Sequence, residues 1–232
     1  MKEHNNLRQF NPDRARRNLL SYTRKAFHML PPIVKPRILD IGCGTGVATL
    51  ELARLSGGII TGVDVEKNSL DRLVSRATEE GLSDRIEVIH ASMLDINFPA
   101  NSFDIIWSEG AIINIGFKRG LSEWRDLLVP EGFLVVHDEM TDLPGKIKVI
   151  HRCGYSLLGQ IELSPDIWWN EYYVPLEKEI KTVRATGFVD EKSIRQIQKV
   201  EQEIKVFDSK NDRFASVFFV LKRTKSGNLP QA

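Results

Sequence analysis

Asp40, Gly42, Gly44 and Gly46 occupy alternate positions at the end of the apolar run Ile38-Leu39-Asp40-Ile41, and a second carboxylate, Asp64, closes the next apolar run. Glycines lack Cβ, so they let a chain turn tightly and let its backbone come close to a ligand. A helical pattern, Val47 to Leu55, starts directly behind the turn. Its first N–H groups have no intrahelical partners and are available to an anionic group. An aspartate about 20 residues beyond such a turn can accept both hydroxyls of a ribose. These residue types in this order read as a nucleoside-binding α/β unit.

The glycine spacing narrows the ligand. In the dinucleotide fingerprint G-x-G-x-x-G the third glycine would fall at Val47, and the Lys-Ser/Thr end of a phosphate-binding P-loop is also missing. A dinucleotide site must receive a pyrophosphate; this one need not. The form D-x-G-x-G-x-G resembles motif I of the class I S-adenosylmethionine-dependent methyltransferases.

Bulk properties set the frame. A chain of 232 residues with 42% hydrophobic content suits one α/β domain with an elaboration. The formal charge is +1, which gives neither a basic field for nucleic acid nor an acidic excess that would imply disorder. The start, Met1-Lys2-Glu3-His4-Asn5-Asn6, has no apolar segment of the signal-peptide kind, and no run reaches membrane-spanning length. Two cysteines, Cys43 and Cys153, form no metal or disulfide framework, so the expected location is cytoplasmic.

Behind the turn, strands and helices alternate. The patterns predict strands over 37–41, 59–64, 86–90, 103–108 and 132–138, with helices over 46–56, 66–80 and 117–129. A helix through Arg152, a sixth strand over 154–163, a helical region to about Phe207 interrupted near Gly187, and a last strand over 214–221 follow. Alternation of this kind gives a parallel sheet covered by helices on both faces. The expected organisation is an N-terminal helical cap over 1–35, an α/β core over 36–163, a helical insertion over 164–211 acting as a lid on the substrate side, and the last core strand with its tail over 212–232.

The resemblance extends beyond the glycine turn. Asn97-Phe98-Pro99-Ala100-Asn101-Ser102-Phe103-Asp104 is similar to the segment leading into strand four of the same methyltransferases, and Leu127-Leu128-Val129-Pro130-Glu131-Gly132 resembles their turn into strand five, with Glu131 in place of a glycine. Ile106 to Phe117 and the segment Trp168-Trp169-Asn170-Glu171-Tyr172-Tyr173-Val174-Pro175 look like a subgroup of small methyltransferases, related to methyltransferase domains 11 and 25, that does not itself supply a substrate. The resemblance implies a Rossmann-like, doubly wound, seven-stranded sheet in the order 3-2-1-4-5-7-6, mostly parallel with an antiparallel last strand. It also implies S-adenosyl-L-methionine as the cofactor. Asp40 would attract the cofactor's ammonium, with the Gly42–Gly46 backbone beside it. Asp64 would take the ribose hydroxyls, and Val65 would offer an apolar face to the adenine. Ser92 and Met93 stand where the family commonly has an Asp-Ala pair against the adenine; a serine hydroxyl can accept the amino group's hydrogen bond, and Met93 adds apolar surface.

Ligands of open α/β sheets bind at the carboxyl ends of the strands. There Glu109 is a candidate to orient or deprotonate a methyl acceptor, His137 is a candidate base, and Asn114 can contact the acceptor. Trp168 and Tyr172, like Trp169 and Tyr173, are i,i+4 neighbours on a helix. Such pairs pack a core or, for Trp168, Tyr172 and Tyr173, line the acceptor pocket. The expected activity is methyl transfer to a small-molecule acceptor. An RNA methyltransferase and a non-catalytic cofactor-binding protein are the alternatives. The arginines Arg14, Arg16, Arg17 and Arg24 would allow the first, but no basic patch interleaved with aromatics supports it. No metal-ligand spacing occurs, no membrane partner is implied, and monomer and homodimer are both open.

Overall fold

The computed structural model describes residues 9–187, 189–209 and 214–225. The reading of residues 1–6 and of the tail from 226 lies outside them. The described residues divide into two compact units, residues 20–162 with 216–225, and residues 9–19 with 163–187, 189–209 and 214–215.

The larger unit is the α/β one. Its strands are β1 (Arg37–Ile41), β2 (Ile59–Asp64), β3 (Ile86–His90), β4 (Phe103–Glu109), β5 (Leu128–Glu139), β6 (Tyr155–Leu163, its last residue counted with the other unit) and β7 (Ser216–Arg223). They form one sheet in the order β3-β2-β1-β4-β5-β7-β6, with β7 antiparallel to β5 and the pairs from β3 to β5 parallel. This is the topology that the family resemblance implied. Its central strands are apolar because both faces are covered: Ile38, Leu39, Ile106, Leu134, Val136 and Phe219 are all fully buried.

Three elements depart from expectation by two residues or more at one end. β5 starts at Leu128 rather than 132, and its register against β4 jumps between Phe103↔Leu128 and Ile105↔Phe133. Glu131 sits at that irregularity with φ +63°, the left-handed conformation that a glycine adopts without steric cost; its carboxylate accepts from Lys222 at 3.0 Å. The helix expected over 117–129 ends at Trp124 and closes in a 3-10 turn, Arg125–Leu127. The last strand begins two residues late, at Ser216.

The helices of this unit include Leu20–His28, Val47–Ser56, Lys67–Glu79, Phe117–Trp124 and Leu143–Arg152. In chain order, after a short α1 (Asp13–Arg16) in the other unit, they are α2 to α6. Gly57, at φ +61°, ends α3, and the Asp142 side chain caps α6 by accepting from the Gly145 amide at 3.2 Å.

The smaller unit is helical: α1, then α7 (Pro165–Ile167), α8 (Val174–Arg184) and α9 (Glu191–Ser209). Its core joins Phe10, Ala15, Tyr172, Tyr173, Leu176, Ile180, Val183, Ile197, Val200 and Phe207. Arg14 reaches Glu179 at 2.6 Å, and the Phe10 amide donates to Ser193 Oγ at 3.2 Å. Residues Trp168–Tyr173 form a π-helix rather than the expected α-helical turn. Pro175 lies just behind this segment. It has no N–H for the Glu171 carbonyl four residues back, and that carbonyl accepts from Asn18 Nδ2 instead, at 2.9 Å. Val174 N–H in turn bonds five residues back, to Trp169.

Candidate functional site

Register places three carboxylates on one face of the sheet. Asp40 is paired with Gly62 on β2 and with Trp107 on β4. Paired residues share a face, as do residues two apart along a strand. Asp64, two beyond Gly62, and Glu109, two beyond Trp107, therefore stand on the Asp40 face at the carboxyl ends of neighbouring strands.

Asp40 is buried, 2% exposed, and its Oδ2 accepts from Thr49 Oγ1 of α3 at 2.6 Å. Burial pushes its carboxyl up to about 7; the Thr49 bond opposes the rise, and the charges of Glu109 and Asp64 add to it. Asp64 spends one lone pair of each oxygen on the backbone. Oδ2 accepts from the Gly44 amide and Oδ1 from the Glu66 amide, both at 2.8 Å.

The three glycines have different jobs. A Cβ on Gly42 would lie 2.3 Å from Ala111 Cβ, and one on Gly46 would lie 2.2 Å from Leu73 Cδ1. Both have positive φ as well, so packing and turn geometry require them. At Gly44 a Cβ would meet nothing within 4 Å. The turn is therefore open at its middle glycine, whose amide also holds Asp64. Gly42 and Cys43 close the turn by donating to the Val63 carbonyl at 2.8 and 3.2 Å. Cys43 is packed, and burial holds its thiol far above the thiolate range, which leaves no nucleophile there.

Val65, beside Asp64, is 53% exposed, and its carbonyl accepts from His90 Nε2 at 2.8 Å. Ser92 stabilises its own turn: its Oγ accepts from the Leu94 amide at 3.2 Å. The end of the Met93 side chain lies 3.8 Å from where a Gly42 Cβ would be, so Met93, Ala111 and the glycine turn are contiguous.

On β4, Glu109 Oε1 accepts from Trp107 Nε1 at 2.8 Å and from Thr23 Oγ1 of α2 at 2.9 Å. Glu109 is in register with His137 of β5. His137 is 8% exposed, its Nε2 lies 2.8 Å from Ser216 Oγ, and its ring stacks on Phe218 with centroids 4.2 Å apart. Burial lowers its pKa to about 4, so it is neutral at pH 7 and packed between β5 and β7. Asn114 is exposed, with Nδ2 donating to the Ala111 carbonyl at 3.0 Å. Ser108, also at the end of β4, is fully buried, and its Oγ has no hydrogen-bond partner.

Trp168, Tyr172 and Tyr173 stand in the core of the helical unit. Trp168 meets Tyr172 edge-on at 5.5 Å between centroids, and Tyr173 packs on Phe207 at 4.5 Å. Tyr172 and Tyr173 are 7% and 9% exposed.

Thr49, Thr23 and Trp107 are hydrogen-bond partners of the candidate carboxylates that sequence reading missed. Thr49 carried a local signal, a hydroxyl in the first turn of the helix behind the glycines. Thr23 carried none, because 86 residues separate it from Glu109. Among the described residues no group of three or more His, Cys, Asp or Glu side chains could hold a metal ion, and no helix is long and apolar enough to cross a membrane.

Residues 38–132 match the family described as "Methyltransferase domain". The chain is 26% identical over 182 residues to the sterol 24-C-methyltransferase of Gibberella zeae, covering 65% of this chain and 47% of that protein. It is 36% identical over 107 residues to the glycine/sarcosine/dimethylglycine N-methyltransferase of Actinopolyspora halophila, covering 45% of this chain and 19% of that one. The chain thus spans less than half the length of either relative. Among solved structures, the fold is shared with an S-adenosylmethionine-dependent methyltransferase from Geobacter sulfurreducens in complex with S-adenosyl-L-homocysteine. The TM-score is 0.68, with 21% identity, 88% of this chain and 89% of that chain covered.

Proposed function

We propose that this chain is a class I S-adenosylmethionine-dependent methyltransferase that transfers a methyl group to a small-molecule acceptor, a reading supported by the methyltransferase-domain match over residues 38–132. The observation that carries the reading is the Gly44–Asp64 unit: a turn open at its middle glycine, bonded to a carboxylate that keeps lone pairs for two hydroxyls.

The residues fit the cofactor chemically. A molecule with an ammonium and a sulfonium is cationic, and it matches the carboxylates Asp40 and Asp64 on one sheet face. Asp40 attracts the ammonium, and Asp64 accepts from the ribose. Val65, exposed beside it, and Met93, against the glycine turn, supply apolar faces for the adenine, with the Ser92 loop at its edge. Bound there, the cofactor supplies an electrophilic methyl group for in-line displacement, a reaction in which alignment and exclusion of water provide most of the rate.

On the acceptor side, Glu109 orients the acceptor or takes its proton, and Asn114 offers a further polar contact. Glu109 is better suited than His137 to this work. Its carboxylate is held by two donors at a strand end, whereas the His137 ring is stacked on Phe218 and bonded to Ser216. The aromatic trio Trp168, Tyr172 and Tyr173 first of all holds the helical unit together, and a share in acceptor binding is a further part of the proposal.

Calorimetry with S-adenosylmethionine and NAD, followed by isotope-labelled methyl transfer to a panel of amines, sterols, sugars and carboxylates, tests the reading. Binding of the first cofactor and label transfer to one acceptor class are expected. Tight NAD binding with none for S-adenosylmethionine would overturn it. Cofactor binding without transfer to any acceptor or to RNA would favour the non-catalytic alternative.

A further inference from the structure

The Glu109 carboxylate is held from two directions. Trp107 Nε1, two residues back on the same strand, donates to Oε1 at 2.8 Å; Thr23 Oγ1 donates to the same oxygen at 2.9 Å. Thr23 comes from α2, which is locked into the α/β unit around it. Thr23 and Ala26 are 1% and 0% exposed. The next residue, Arg24, pairs with the buried Glu51 of α3 at 2.5 Å, and Phe27 lies against the Trp107 ring with centroids 6.5 Å apart. Hydroxyl, indole and helix therefore form one packed assembly that faces a single carboxylate oxygen.

Two donors converging on one oxygen do two things. They fix the plane of the carboxylate, and they favour its charged form over its neutral one. The groups around Glu109 give this weight. Asp40 of β1 stands on the same sheet face, Asp64 of β2 lies beyond it, and His137 of β5 is in register. Two of these neighbours are carboxylates, whose charges disfavour a third ionised carboxylate nearby.

We propose that Thr23 is a positioning residue for Glu109, setting the orientation and the charge of the carboxylate that faces the methyl acceptor. The N-terminal helix α2 is then part of the acceptor-side machinery rather than a cover over it. The role given to Glu109 rests on the methyl-transfer reading above; the link between Thr23 and Glu109 does not.

The test uses the full chain with 13C-labelled glutamate side chains. The Glu109 carboxyl signal is identified by its loss in Glu109→Gln and is then titrated by NMR. Thr23→Val, which keeps the shape and removes the donor, is expected to raise the titration midpoint of Glu109 by about one pH unit, and Thr23→Ser to restore it. Thr23→Ala serves as a second donor-less variant if the valine does not fold. With a transferable acceptor in hand, turnover should fall about tenfold in Thr23→Val with S-adenosylmethionine affinity unchanged, and recover in Thr23→Ser. An unmoved midpoint in a folded donor-less variant overturns the proposal, as does a shifted midpoint with parental turnover. If the parent protein binds no S-adenosylmethionine, the methyl-transfer reading fails, while the titration still decides whether Thr23 governs the Glu109 carboxylate.

Discussion

Asp64 Oδ2 accepts the Gly44 amide at 2.8 Å, so the carboxylate assigned to the ribose and the glycine turn assigned to the methionine end are one hydrogen-bonded unit. Neither is independent of the other, and substitution of Asp64 tests both at once. Losing a hydrogen bond to a charged acceptor costs about 1.5–3 kcal/mol. Asp64→Ala is expected to weaken S-adenosylmethionine binding by about one to two orders of magnitude, and to lower the melting temperature, because the Gly44 and Glu66 amides lose their acceptor. Asp64→Asn keeps one acceptor oxygen and should fall between the parent and Asp64→Ala in both. Calorimetry and thermal unfolding on the three proteins check this; parental affinity in folded Asp64→Ala would remove Asp64 from the ribose site.

If Asp40 takes the cofactor's ammonium as proposed, cofactor binding depends on pH. With burial holding its carboxyl up to about 7 in the empty protein, binding a cation in the ionised state requires release of its proton. Affinity for S-adenosylmethionine should therefore fall as pH drops below about 7, by up to about tenfold per unit for a single proton, and level off above it. The sign for stability is opposite. The folded empty protein holds this proton more tightly than the unfolded chain does, so the contribution of Asp40 is greatest in acid and is lost as pH rises through about 7. Calorimetry in buffers of different ionisation enthalpy counts the protons released. Proton-independent binding, or a pH dependence that survives in Asp40→Asn, would contradict this assignment.

Glu109→Gln keeps an oxygen for Thr23 and Trp107 to bond while removing the charge. Cofactor affinity should be retained, and turnover should fall by about 10²–10⁴-fold if Glu109 acts as a general base. A variant with parental single-turnover rates would leave the reaction to alignment alone.

Tyr173, 9% exposed and packed on Phe207, belongs to the core of the helical unit. Removing a buried aromatic ring costs about 3–5 kcal/mol, so Tyr173→Ala should unfold this unit at a clearly lower temperature. Hydrogen exchange resolves the two units separately. Faster exchange confined to residues of the helical unit is the expected pattern. A raised acceptor KM without that loss of protection would instead support the pocket role proposed for the aromatic trio.

What the sequence determined by itself was local and periodic. Apolar runs of strand length set the parallel strands, alternate glycines behind Asp40 set the turn, and the end of the next run set Asp64; each depends only on neighbours in the chain. The strand order came from resemblance, and the structure has the same order. What the tertiary structure decided depends on residues far apart. Gly42 and Gly46 are required by Ala111 and Leu73, while Gly44 alone faces open space. Trp168–Tyr173 form a π-helix, and Asn18, far away in the chain, holds the Glu171 carbonyl that Pro175 cannot. Thr23, from a segment read as part of a cap, bonds to Glu109 across 86 residues. Hydrophobic periodicity records which face of an element is buried, but not which hydroxyl meets which carboxylate. That pairing exists only once strands and helices are stacked.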